Sequence, residues 1–255
     1  MPDQKVGIVG VPPLAVIQEL NAQRCRIVDL DEPQIHSAID LSAQYLPKVY
    51  CAILRTVVLN AMHLRLDAVY IDVGPGKCDC ALHVATILET MLAIPVIRTH
   101  NLDDCAFGTP VCRTRMPLFD KFMAITRRVQ TATPATILQP CAPTAGFWGV
   151  PPRDFSILTL FPDSTHVYGW TRCMENKTPA DLHLEMHVNP EVPTVFFAQS
   201  FCAKTALAHH LARLHPRALF VDCDVTAGSS ARAKIEAFLE LSGVTPPENC
   251  ANAAG

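Results

Sequence analysis

The stretch Gly146-Phe-Trp-Gly-Val-Pro-Pro152 repeats Gly7-Ile-Val-Gly-Val-Pro-Pro13 at five of seven positions. Each copy follows a short apolar run and precedes a helical pattern, so the repeat points to two halves of one design. Around the first copy, Lys5-Val-Gly-Ile-Val-Gly10 reads as a strand. Residues 13–23 read as a helix that opens on proline, where a missing N–H costs least. Strands are expected at 25–30, 67–73 and 95–98, alternating with helices at 34–65 (broken near Pro47) and 80–93.

The second half keeps the same rhythm. Strands are expected at 135–139, 166–169, 194–198 and 218–222, with helices at 153–160, 179–188, 202–214 and 229–241. Gly243 stands where the last helix stops. The helical pattern at 116–132 falls between the halves and reads as their connector. The expected fold is therefore α/β, with two Rossmann-like parallel-sheet halves at 1–115 and 133–255.

Composition narrows the functional classes. Of 255 residues, 49% are hydrophobic and 18% charged, enough apolar material for a large core and too much for a disordered chain. The net charge of −3 argues against a nucleic-acid or anionic-membrane surface. Met1-Pro-Asp-Gln-Lys5 has no apolar run behind it, and no apolar stretch is long enough to span a bilayer. A cytoplasmic protein is expected.

Eleven cysteines in a reducing compartment are buried thiols, metal ligands or nucleophiles. Ligands of open parallel sheets bind beyond the carboxyl ends of the strands. On the strand pattern above, eight cysteines fall there: Cys78, Cys80, Cys105, Cys112, Cys141, Cys173, Cys202 and Cys223. Cys25, Cys51 and Cys250 read as structural. Six thiols, Cys78, Cys80, Cys105, Cys141, Cys173 and Cys202, are the candidate metal ligands. Soft thiolates from convergent loops suit an iron–sulfur cluster, with a four-iron cluster favoured. The spacing of Cys78 and Cys80 is too short for a zinc knuckle, which leaves zinc, or no cofactor, as the alternatives.

Other residues gather around these positions. Gly74 and Gly76, in Gly74-Pro-Gly-Lys-Cys78, can offer backbone N–H groups to an anion. Trp148 and Trp170 are the only tryptophans, each near a strand-end cysteine, and are candidates for cofactor stacking beside the commoner role of core packing. His83 lies one turn beyond Cys80 and is a candidate proton donor. Arg172 and Lys204 flank Cys173 and Cys202, where cations lower thiol pKa or bind an anionic substrate; surface charge is the plainer reading. His183 and His187 share a helix face, most simply a solvated one. His100, Asp103 and Asp104 precede Cys105 and serve acid–base chemistry or cap a turn. No P-loop, dinucleotide fingerprint or nucleophile elbow is present.

The segment Asp72-Val-Gly-Pro-Gly-Lys-Cys78 resembles the cysteine loop Gly-Pro-x-Gly-Cys of nitrogenase component-1-like proteins, although its glycine and lysine order differs. Ala135-Thr-Ile-Leu-Gln-Pro-Cys141 is similar to their later strand that ends in a second cluster cysteine. The arrangement also resembles the 2-hydroxyacyl-CoA dehydratases, two α/β domains around a cluster. Both likenesses rest on two short segments of a much shorter chain. They imply an iron–sulfur redox protein or reductase-like enzyme, with a small-molecule substrate or redox partner protein and a possible homodimer. A metallochaperone or cluster scaffold, and a cofactor-free enzyme with a cysteine nucleophile, are the alternatives.

Overall fold

The computed structural model describes residues 4–35, 38–107, 110–134 and 138–245. Its first sheet contains β1 (Lys5–Val9), β2 (Arg26–Asp29), β3 (Ala68–Asp72) and β4 (Val96–Thr99), in the order β2-β1-β3-β4. Its second contains β5 (Gly146–Gly149), β6 (His166–Tyr168), β7 (Thr194–Gln199) and β8 (Ala218–Cys223), in the order β6-β5-β7-β8. Every pairing in both sheets is parallel. The architecture is the α/β pair of four-stranded sheets that the sequence pattern predicts.

The repeat is structural. Strands β1 and β5 hold the same position in their sheets, and each copy starts within its strand and runs past its end. Gly10 and Gly149, the second glycines of the copies, both have positive φ, at 77° and 157°. A Cβ on Gly149 would lie 2.5 Å from the Phe197 carbonyl oxygen, so the turn leaving β5 needs glycine.

Helices α1 (Leu14–Ala22), α2 (Ala52–His63) and α3 (Asp79–Met91) accompany the first sheet. Helix α4 (Leu118–Arg128) follows, and α5 (Trp170–Asn176), α6 (Leu182–Met186), α7 (Thr205–Leu214) and α8 (Ser229–Leu241) accompany the second. The four central strands are apolar on both faces, as parallel strands covered by helices require. Val6 and Ile8 of β1 join the apolar cluster that holds Phe147, Phe161 and Phe197 of the second half, so one core runs across both halves. Helix α4 enters that core through Phe122, whose ring meets Phe147 edge-on at 5.2 Å.

Four expectations need correction. The strand placed at 135–139 falls largely on residues outside those described; the described Leu138 and Gln139 are not in a strand, and β5 lies seven residues later. A proline- and glycine-rich setting concealed it, because Gly146-Phe-Trp-Gly149 has half the apolar length of an ordinary strand. Residues 170–176, expected as a loop, form α5, capped at its start by Gly169 and closed by Lys177 in the left-handed conformation. The expected helix at 34–65 is a 3-10 turn at Ile39–Gln44 followed by α2, separated by the irregular run around Pro47. The expected helix at 153–160 is a 3-10 segment, Phe155–Leu160.

One buried cation on α4 gives a measurable consequence. Lys121 is fully buried, and its ammonium donates to the carbonyls of Asp163 and Thr165. Burial pushes its pKa down to about 8 from the ordinary 10.5. Between those values the unfolded chain holds a proton that the folded chain has released. Stability from this group is therefore complete above 10.5 and is lost as pH falls through 8. The stability of the native protein relative to Lys121→Met is expected to rise by about 3 kcal/mol between pH 7.5 and 10.5. Urea unfolding across that range checks it, and a difference that stays flat with pH overturns it.

Candidate functional site: a cleft and a thiol group between the halves

The turns beyond the carboxyl ends of β2, β3, β5 and β6 enclose a cavity of about 260 Å³. Its polar wall consists of Asp29, Asp31 and Glu32 from the first half, with Lys77, and Arg153 from the second. Ile53, Met123, Phe155, Trp170 and Met174 supply apolar surface. A mostly apolar hollow with a few convergent charges at the strand ends is the usual form of a small-molecule site.

Buried contacts across the halves hold the cavity in place. The Asn101 amide donates to the carbonyls of Val11 and Pro12 in the first half and Lys177 in the second. Its backbone N–H donates to Asp72, 2.8 Å away, at the end of β3. Gln199 does similar work in the second half. Its side chain accepts from the Arg153 N–H at 2.8 Å and donates to the carbonyls of Cys223 and Asp224. The ends of β7 and β8 are thereby tied to the residue that carries the cleft's guanidinium.

Charges around the cleft are unevenly satisfied. Asp31 accepts from the Gly10 N–H at 2.7 Å through Oδ2, which also lies 3.7 Å from the Lys77 ammonium. Among the described residues, its Oδ1 is buried without a partner. Nε and Nη1 of Arg153 are likewise buried without partners, and burial, then Arg55, pushes the guanidinium pKa down. Burial also opposes the charge on Lys77, but Asp31, Cys78, Asp72 and Asp29 outweigh it and its pKa is raised. Burial, reinforced by Asp31 and Glu32, lifts the Asp29 carboxyl well above the usual range. The Trp170 ring lies between two cations, with the Lys204 ammonium 4.5 Å and that of Lys77 5.7 Å from its centre.

Four thiols lie close to residues of this wall, although none lines the cavity itself. Cys78 follows Lys77 directly and Cys80 lies two residues on, at the start of α3. Cys51 precedes the first turn of α2. Cys202 sits in the turn between β7 and α7 and packs against the apolar cluster of the first half that contains Cys51. Beside Cys202, and with burial, the Cys51 thiol is pushed up, while beside Cys51 the Cys202 thiol is pushed down. Burial opposes the fall at Cys202, while the Lys204 N–H and ammonium favour it. At Cys78, burial and the neighbouring Cys80 prevail over Lys77, and its thiol is pushed up. Phe201, just before Cys202, is 54% exposed and holds a left-handed φ of 63°. A non-glycine residue in that conformation costs about 1–3 kcal/mol, and such strain concentrates at functional turns.

The six thiols read as ligands do not come together as one set. Cys78, Cys80 and Cys202 share a neighbourhood. Cys105 is exposed, and Asp104, whose carboxylate lies 3.4 Å away, pushes its thiol up. Cys173 is buried in α5, 3.7 Å from the Asp181 carbonyl, and burial raises its pKa to about 12. Cys141 precedes β5 instead of following a strand, and its sulfur lies 3.9 Å from His166 at the start of β6. It belongs to the opposite sheet edge. Among the described residues, no group of three or more histidine, cysteine or acidic side chains is arranged to hold a metal ion.

The remaining candidates are also placed. Gly74 and Gly76 answer to protein packing: a Cβ on Gly74 would lie 2.8 Å from the Asn101 nitrogen, and one on Gly76 would lie 2.1 Å from the Pro179 oxygen. Trp148 is fully buried away from the cleft, stacked on Phe196, with its indole N–H donating to Glu185. Arg172 is paired with Glu175 at 2.6 Å, and Lys204 with Glu185. His83, His183 and His187 are exposed. Asp103 accepts from the first N–H of α1, a capping role. Sequence reasoning missed Asp31, Arg153 and Cys51. Arg153 was signalled by its place directly after the repeat, whereas nothing local marked Cys51.

Compared with protein-family models and with curated proteins, the chain matches none. Among the described residues, no helix is long and apolar enough to cross a membrane.

Proposed function

We propose that the protein is a thiol-dependent enzyme acting on a small molecule held between its halves, with Cys202 supplying the thiolate. The observation that carries this reading is the meeting of Cys51 and Cys202, one cysteine from each half, where Cys202 follows the strained Phe201 in a strand-to-helix turn. A reactive cysteine needs its thiolate favoured and partly accessible. Cys202 has Cys51 beside it, the start of α7 close behind it and the Lys204 ammonium nearby, and its pKa is lowered. It is also only partly buried, whereas burial pushes up the thiols of Cys112 and Cys223.

Brief treatment with iodoacetamide at pH 7, followed by peptide mass mapping, tests the proposal. Cys202 is expected to be modified before every other cysteine. Modification of Cys105, the exposed thiol, well ahead of Cys202 overturns it. The nearness of Cys78 and Cys80 to Cys51 and Cys202 favours a second reading, in which these thiols carry a metal or cluster. Iron, sulfide and zinc analysis of protein purified without oxygen reads that alternative directly.

A further inference from the structure

The cleft between the halves carries opposite unmet demands on its two sides. Among the described residues, Arg153, from the second half, has two buried donors, Nε and Nη1, with no partner. Asp31, from the first half, has a buried acceptor, Oδ1, with no partner among them. Both residues line the same cavity, yet they are not paired with each other. Buried polar atoms left unsatisfied cost about 1–3 kcal/mol each, more when charged, so such a pair marks a place that something else completes.

The other contacts of both residues are already committed. Asp31 uses Oδ2 for the Gly10 N–H and for Lys77, which fixes the carboxylate with its second oxygen left over. The Arg153 backbone is fixed by Gln199. The Asp31 carboxylate and the Arg153 backbone are thus held in place before any ligand arrives, which lowers the ordering cost of binding. The surface between them is apolar, with Ile53, Met123, Phe155 and Met174 among its lining. At about 260 Å³ the cavity lies just below the range of roughly 300–1,000 Å³ typical of drug-sized ligands, and so suits a small metabolite.

We propose that this cavity binds a zwitterionic amino acid with an apolar side chain, its carboxylate on Arg153 and its ammonium on Asp31. An unpaired guanidinium matches a carboxylate through charge-assisted hydrogen bonds. An open carboxylate oxygen, with Glu32 on the same wall, matches an ammonium. A ligand with only one charge would leave the opposite group buried and unmet, so the site discriminates by completeness of charge. The inference rests on the cleft being the ligand site, and it names the class of ligand for the proposed enzyme.

Calorimetric titration of the full chain with L-leucine and L-methionine tests it, alongside the matching single-charge analogues. These are 3-methylbutylamine and 4-methylpentanoate for leucine, and 3-(methylthio)propylamine and 4-(methylthio)butanoate for methionine. At least one amino acid is expected to bind, with each of its analogues at least tenfold weaker. Arg153→Met and Asp31→Asn are each expected to weaken that binding at least tenfold. The analogue comparison uses only the native chain, so it stands even if a variant fails to fold. Absence of binding by both amino acids overturns the proposal, as does an analogue that binds as tightly as its parent. Calorimetry reads binding without any thiol step, and alkylation mapping reads the thiol without any ligand, so the two proposals fail separately.

Discussion

Alkylation of Cys202 at pH 7 is expected to slow on the order of tenfold when Cys51 is replaced by alanine. The neighbouring Cys51, whose S–H can donate to a thiolate, holds the Cys202 pKa below the ordinary thiol value, while burial works against it. A hydrogen bond to a charged group contributes about 1.5–3 kcal/mol. Removing the donor leaves burial with less opposition, the Cys202 pKa rises, and the thiolate fraction at pH 7 falls by the same factor. Part of that loss returns because a more basic thiolate is intrinsically more nucleophilic. The midpoint of the alkylation pH profile therefore moves to higher pH, and the rates converge above it. Cys51→Ser keeps an O–H donor and is expected to restore most of the native rate. Stopped-flow alkylation from pH 5 to 10 reads both variants. A Cys51→Ala profile that overlays the native one would show that Cys51 does not tune Cys202.

The fold was legible because parallel sheets write themselves plainly. Lys5-Val-Gly-Ile-Val9 and Thr194-Val-Phe-Phe-Ala-Gln199 are short continuous apolar runs, and seven of the eight strands follow from such runs and their spacing. The repeat carried more information than its length suggests, since Gly10 and Gly149 end equivalent strands. The eighth strand, Gly146-Phe-Trp-Gly149, escaped because glycine at both ends looks like a turn. That single slip had a functional consequence, for it moved Cys141 from the start of the second sheet to its ligand-binding edge and added it to the thiol set. Residues 170–176 escaped because Trp-Thr-Arg-Cys-Met-Glu-Asn176 is too short to show a helical period. The site itself was partly legible. Cys78, Cys80, Cys202, Lys204 and Trp170 are gathered near the cleft, as their places after strands imply. Cys51 was not, because the partner that gives it meaning is 151 positions away along the chain. Pairings of that kind are set by how two halves pack, and no local pattern records them.

Glu175→Ala is expected to lower stability by about 3–5 kcal/mol, the usual cost of removing one partner from a buried charged network. Thermal unfolding should show a fall of about 10 °C for a chain of this size. Glu175 is fully buried in α5, and its carboxylate joins three parts of the molecule. It accepts from the backbone N–H groups of Val111 and Cys112, pairs with Arg172 at 2.6 Å one turn back, and lies 3.8 Å from Arg128 at the end of α4. Alanine leaves the part-buried Arg172 guanidinium and the buried N–H groups of Val111 and Cys112 without that acceptor. Glu175→Gln keeps an acceptor oxygen but loses the charge, and should fall between the native protein and the alanine variant. A melting temperature for Glu175→Ala within about 2 °C of native, where a surface substitution would leave it, would show that the carboxylate is no keystone. The same network bears on the cleft. Helix α5 carries Trp170 and Met174 to the cavity wall, and Glu175 ties α5 to Arg128 of α4 and to the backbone at Val111 and Cys112. A loosened α5 shifts the aromatic face between Lys77 and Lys204, so ligand affinity should fall in this variant although Glu175 does not line the cavity. Arg172, which sequence position alone suggested for chemistry, thus acts through Glu175 as part of the frame that holds the cleft's shape.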